Sequence, residues 1–128
     1  MQEQFVIPRD PVLVVEDTDD SRDLLGAILE LTGYRVEYAT DGRDALDKLE
    51  AGLHPSLVLL DVAMPRMDGI ELRSRLAEDP RFAGIPVVVF SGVYDIANLR
   101  RSLAVPAFRK PVDVDQVLEM VARYCARP

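Results

Sequence analysis

Apolar runs alternate with helical periodicities along the chain. "PVLVV" (11–15), "SLVLLD" (56–61) and "IPVVVFS" (85–91) are short apolar runs, each read as a buried strand. "YRVEYA" (34–39) alternates polar and apolar positions, the pattern of an edge or half-exposed strand. "AFRK" (107–110) reads as a short fifth strand. Helical segments lie between them. Asp19 or Asp20 is expected to cap the first, where Leu24, Leu25, Ile28, Leu29 and Leu31 repeat at helical spacing until Gly33 ends it. Asp41 caps "GRDALDKLE", which Gly52 stops. "GIELRSRLAED" (69–79) ends before Pro80, and "YDIANLRRSLA" (94–104) follows the fourth strand. Asp113-x-x-Gln116 has the form of a capping box. It opens a last helix with Val114, Val117, Leu118, Val121 and Cys125 on one face.

The order βαβαβαβαβα predicts an α/β fold: a parallel sheet with right-handed crossovers and helices on both faces. Strands one, three and four are continuously apolar, as strands covered on both sides are. No repeat, low-complexity tract or long linker interrupts the pattern. Residues 11–128 are therefore expected to form one domain behind a short N-terminal extension, residues 1–10.

Composition narrows the class. A chain of 128 residues can bury a core of its own. Its net charge of -7 argues against binding nucleic acid or an anionic membrane surface, both of which need clustered cations. Cys125 is the only cysteine and cannot form an internal disulfide. No apolar stretch approaches membrane-spanning length, and "MQEQFVIPRD" lacks the pattern of a signal peptide. A cytoplasmic protein is expected.

The candidate chemistry collects where parallel sheets bind ligands, beyond the carboxyl ends of the strands. Glu16 and Asp17 follow strand one, and Asp61 ends strand three. Ser91 and Gly92 close strand four; Lys110 and Pro111 close strand five. Three converging carboxylates repel one another, and a hard divalent cation such as Mg²⁺ relieves that. A carboxylate beside Mg²⁺ can be the nucleophile of phosphoryl transfer, giving an aspartyl phosphate. The Ser91 hydroxyl and the Lys110 ammonium suit phosphoryl oxygens, and Gly92 is read as leaving room beside the hydroxyl.

On "VLVVEDTDDSRDLL", "GYRVEYATDGRDALDKL", "LVLLDVAMPRMDGIEL", "VVVFSG" and "KPVD", the chain resembles the receiver domain of two-component response regulators, over residues 11–126. The spacings match in order, with 44 residues from Asp17 to Asp61 and 30 from Asp61 to Ser91. The resemblance implies a flavodoxin-like fold of five parallel strands in the order 2-1-3-4-5. It implies Asp61 as phosphoacceptor, and Mg²⁺ (or Mn²⁺) held by Asp17, Asp61 and the backbone carbonyl of Ala63, with Glu16 acting through water. It makes Ser91 and Lys110 the phosphoryl-binding and switch pair. Ala63 and Val93 occupy the positions that modulate dephosphorylation and offer no polar group to orient water, which implies slow decay. The position of the family's switch aromatic is Ala107, and only 19 residues separate Ser91 from Lys110. The resemblance further implies a stand-alone signalling receiver rather than a metabolic enzyme. It would be phosphorylated by a histidine kinase or a histidine phosphotransfer protein, and would act on an unknown downstream protein. It would bind no nucleic acid directly and insert in no membrane, with a homodimer through the fourth helix, fifth strand and fifth helix as an option.

Two rival readings remain. A haloacid-dehalogenase-type phosphatase also uses an aspartyl nucleophile with Mg²⁺, but wants a second acid two residues on, where Ala63 stands. A phosphorylation-independent scaffold would not need the acids and lysine that are present. Other features read as structural. Met64-Pro65 and Asp68-Gly69 are loop geometry, Pro fixing φ and Gly permitting unusual φ. His54 is read as an exposed loop residue, Cys125 as part of the core face, and Arg100 and Arg101 as a solvated face, with a partner surface as the alternative.

Overall fold

A computed structural model describes residues 10–62, 68–92 and 95–125. Five strands alternate with five helices: β1 Val12–Val15, α1 Asp19–Leu31, β2 Val36–Ala39, α2 Gly42–Glu50, β3 Leu57–Asp61, α3 Gly69–Glu78, β4 Val87–Ser91, α4 Ile96–Leu103, β5 Ala107–Arg109 and α5 Val114–Tyr124. The strands pair in parallel in the order β2-β1-β3-β4-β5, the order the resemblance implied. β2 and β5 are the edges, and β2 is the half-buried strand its alternation predicted.

Side-chain alternation along the strands splits the apolar residues into two cores. Leu13, Val15, Val58, Leu60, Val87, Val89 and Ala107 face Leu46 and Leu49 of α2, Leu72 and Leu76 of α3, and Leu99 of α4. Val12, Val14, Leu57, Leu59, Val88 and Phe90 face Leu25 and Leu29 of α1 and Val117, Met120 and Val121 of α5. Burying each such side chain stabilises the fold by about 1.5–3 kcal/mol, so strands covered on both faces fix the register firmly.

The helix ends follow local chemistry. The side chains of Asp41, Asp68, Asp95 and Asp113 each accept a backbone N–H from the first turn of α2, α3, α4 and α5. Gly33 and Gly52 take positive φ just beyond α1 and α2. Ala104 caps α4 in the left-handed region, where an alanine costs about 1–2 kcal/mol. Three expectations are corrected. Thr18, not Asp19 or Asp20, is the cap residue of α1 and makes no side-chain capping bond, while both aspartates lie in the first turn. Leu24 and Leu31 are solvent-facing, Leu31 at 89% exposure, because the sheet takes only Leu25, Gly26 and Leu29. Val114 at the start of α5 is exposed too, whereas Cys125 packs half-buried against the core as expected, its thiol 3.1 Å from the Ser56 hydroxyl.

Gly69 explains itself by space rather than by unusual φ. A Cβ there would lie 2.6 Å from the Asp61 carbonyl oxygen and 2.7 Å from the Val62 Cα, so only glycine lets α3 begin against the end of β3. The Gly69 N–H donates to the Val62 carbonyl at 2.7 Å. Gly69→Ala is therefore expected to destabilise the protein by about 1–3 kcal/mol in urea unfolding. Gly84→Ala, at a position with open space, should stay within about 0.5 kcal/mol of wild type. Equal midpoints for the two variants would contradict the packing argument.

Candidate functional site

The parallel register carries four strand ends to one edge of the sheet. Val15 pairs with Leu60, so Glu16 and Asp61 leave β1 and β3 side by side. Asp61 pairs with Phe90 and Ser91 with Arg109, which places Ser91 and Lys110 one step further along. The Lys110 N–H donates to the Ser91 carbonyl at 3.0 Å, and the Val62 N–H to the Phe90 carbonyl at 3.1 Å. Backbone bonds between neighbouring strands thus hold the site's framework, independently of the side chains' own chemistry.

Glu16, Asp17 and Asp61 each offer a carboxylate oxygen within 4.8 Å of the others. Glu16 is 2% exposed and Asp61 7%, whereas Asp17 faces solvent. Lys110 reaches into this acidic group. Its Nζ donates to Glu16 Oε2 at 2.7 Å and lies 3.3 Å from Asp61 Oδ2. Burial alone disfavours the charged amine, but the hydrogen bond to Glu16 and the charges of Asp61 and Glu16 outweigh it. The ammonium is held above the ordinary lysine range. The other oxygen of Glu16 accepts the Thr18 backbone N–H at 3.3 Å, so both its oxygens are engaged. Lys110 is joined to Pro111 by a cis peptide bond.

Ser91 is buried at the carboxyl end of β4. Strand alternation turns it to the side of Val87, Val89 and Ala107, whereas Glu16 and Asp61 continue the alternation of Val14 and Leu59. The structure therefore brings Glu16, Asp17, Asp61 and Lys110 together by side chain, and joins Ser91 to them through the Lys110 backbone. A Cβ at Gly92 would lie 3.7 Å from the Lys110 Cβ, an ordinary contact. Ala63, the expected carbonyl ligand, Met64-Pro65, and Val93 all lie outside the described residues.

Ala107 is fully buried in the core under α2–α4, while Phe108 points to the opposite core and packs on Phe90 with ring centroids 5.9 Å apart. The ring beside the position of the switch aromatic thus belongs to the other layer. Arg100 is exposed, as read from sequence, and also donates from Nε to the Ala107 carbonyl at 3.0 Å and sets its guanidinium 5.9 Å from the centre of the Phe108 ring. It ties α4 to the outer side of the edge strand β5. His54 is exposed as expected, with Nδ1 3.4 Å from an Asp10 carboxylate oxygen.

Chemically, the site has hard oxygen donors in excess over positive charge. Three carboxylates face one ammonium, which suits an oxygen-seeking divalent cation of the Mg²⁺ kind. No helix among the described residues is long and apolar enough to cross a membrane.

Comparison with known proteins agrees with this geometry. Residues 12–122 match the family described as response regulator receiver domain. The chain is 38% identical over 118 residues to an uncharacterised 14.6 kDa protein of Leptolyngbya boryana, covering 89% of this chain and 88% of that protein. It is 32% identical to sporulation initiation phosphotransferase F of Bacillus subtilis, covering 88% of this chain and 91% of that one. Among solved structures it is similar to the signal receiver domain of a signal transduction histidine kinase from Syntrophus aciditrophicus. That match has a TM-score of 0.80 and 33% identity, and covers 90% of this chain and 89% of the other.

The electrostatics of the site yield a direct expectation for the metal-free protein. Lys110→Met keeps most of the apolar stem but leaves the buried Glu16 carboxylate without its strongest partner. It should lower stability by about 1–3 kcal/mol in urea unfolding with EDTA at neutral pH. An unchanged midpoint would mean that the ion pair is cancelled by its own desolvation.

Proposed function

This chain belongs to the response regulator receiver family of two-component signalling, and we propose that it is a phosphorylation switch with Asp61 as its phosphoacceptor. The observation that carries this reading is the convergence of Glu16, Asp17 and Asp61 around the Lys110 ammonium at the carboxyl edge of the sheet. In this reading the donor is a phosphohistidine of a kinase or phosphotransfer protein. An Asp61 carboxylate oxygen attacks the phosphorus and forms a P–O bond. The P–N bond to the donor imidazole breaks with its electron pair staying on nitrogen, which then takes up a proton.

Asp17, Asp61 and the Ala63 carbonyl would hold a Mg²⁺ ion, with Glu16 acting through water. Bound there, Mg²⁺ neutralises charge on the phosphoryl oxygens. The protein's own groups supply the rest. Lys110 already spans Glu16 and Asp61, and its mobile ammonium can pair with a phosphoryl oxygen once Asp61 is modified. Ser91 would hydrogen-bond another oxygen. Because its carbonyl is bonded to the Lys110 N–H, a shift of either residue is passed to the other. Ala63 and Val93, as apolar residues at the positions that modulate hydrolysis, favour a long-lived phosphoryl group.

The phosphodonor's docking surface is read on α1, which starts at the mouth of the site. Leu24 and Leu31, two turns apart, are both exposed there. Exposed apolar side chains on the helix that starts at the mouth of the site support contact with a helix of the donor protein.

Incubation with Mg²⁺ and acetyl phosphate should add one phosphoryl group by intact mass, slow to decay, and Asp61→Asn should abolish the addition. Equal labelling of that variant would move the acceptor elsewhere. The double variant Leu24→Glu, Leu31→Glu separates docking from chemistry. Phosphotransfer from the donor protein should fall by about tenfold or more, while labelling by acetyl phosphate stays at the wild-type rate. Parallel loss of both would place the effect on the fold, and no loss of either would remove α1 from the docking surface.

A further inference from the structure

The β1–α1 loop and the first turns of α1 carry five acids within eight residues, Glu16, Asp17, Asp19, Asp20 and Asp23, and one arginine, Arg22. Arg22 does not simply neutralise them. One terminal nitrogen donates to the backbone carbonyl of Glu16 at 3.0 Å, and the other to Asp19 Oδ1. Its side chain is only 15% exposed, although it stands on the first turns of a surface helix. The backbone N–H of Arg22 donates to the Thr18 carbonyl at 2.9 Å.

The guanidinium thus bridges the two sides of a short turn whose apex is Asp17. Thr18 makes no side-chain capping bond, so the turn lacks the usual brace of a helix start. A planar fork that meets two acceptors at once replaces that brace. It also occupies the carboxylate of Asp19. Glu16, fixed by Arg22 at its carbonyl and by Thr18 and Lys110 at its side chain, sets the position from which Asp17 approaches Asp61.

We propose that Arg22 is a positioning residue for the cation site: it holds the 16–19 turn so that the Asp17 carboxylate stays with those of Glu16 and Asp61, and keeps Asp19 out of that set. The inference rests on the reading that a divalent cation binds these acids. It carries a sign that charge alone would reverse. Removing a positive group beside an acidic cluster should tighten cation binding by Coulomb's law. Removing a brace should weaken it.

The test is calorimetric titration of metal-free protein with Mg²⁺, together with hydrogen exchange of the 16–20 amides in EDTA. Arg22→Ala should raise the dissociation constant by about tenfold. Arg22→Lys keeps the charge but not the fork, and should raise it by about three- to tenfold; it carries the test if the alanine variant does not fold. Both should speed exchange in the turn before any metal is added. Val87→Ala, a destabilised variant at the opposite end of β4, should keep the wild-type constant. Unchanged or tighter Mg²⁺ binding in the Arg22 variants overturns the role of Arg22 alone. An equal loss in Val87→Ala also overturns it, by making the effect one of general stability. Absence of Mg²⁺ binding in the wild type overturns the cation reading, and this inference with it.

Discussion

Three carboxylates meeting one ammonium in a largely dry corner is the constraint on which the site depends. Glu16 and Asp61 are almost wholly buried, and Lys110 touches both. A buried carboxylate is costly unless it is paired and hydrogen-bonded. The fold meets that cost through neighbouring strands. β1 supplies Glu16, β3 supplies Asp61, and the step beyond β5 supplies Lys110, whose own N–H is anchored to Ser91 at the end of β4. The register of the sheet is set by apolar residues on both faces, so the charges are brought together by packing and not by their own attraction. Only Asp17, at the exposed apex of its turn, remains well solvated.

That arrangement is satisfied but poised. The ammonium stabilises two acids at once, and any group that takes over one of them releases part of Lys110. The carboxyl edge couples to the rest of the molecule at two further points. Gly69 lets α3 begin directly against the Asp61 and Val62 backbone, so movement at the end of β3 is felt by α3. Arg100 binds the carbonyl of Ala107 and so couples α4 to the edge strand that leads to Lys110. With a small buried residue at position 107, no ring at that position can swing.

Much of this was legible in the sequence, and the parts that were not share a cause. Strand ends and their acids could be read because apolar runs stop sharply at Glu16, Asp61 and Ser91. The resemblance then assigned them roles. Leu24, Leu25, Ile28, Leu29 and Leu31 occupy an arc about 160° wide around α1, too wide for one sheet to cover, and nothing in the pattern tells which part of the arc is buried. Gly69 looked like a turn residue because the sequence does not show how closely α3 starts against β3. The bonds made by Arg22 and Arg100 could not be read because each has a backbone carbonyl as a partner, which no pattern of side chains can reveal. Thr18 is the cap residue of α1 without a side-chain capping bond, and Arg22 spans that turn from the Glu16 carbonyl to Asp19.

The central claim is that the acidic corner is built to carry a phosphoryl group on Asp61 beside a divalent cation. A crystal structure grown with Mg²⁺ and beryllofluoride, which stands in for an aspartyl-bound phosphoryl group, tests it most directly. The expected density shows beryllium joined to an Asp61 carboxylate oxygen. A cation should be in contact with Asp17 and Asp61, and Lys110 should have turned to a fluorine. Beryllofluoride bound elsewhere, or a corner unchanged with Lys110 still spanning Glu16 and Asp61, would contradict it.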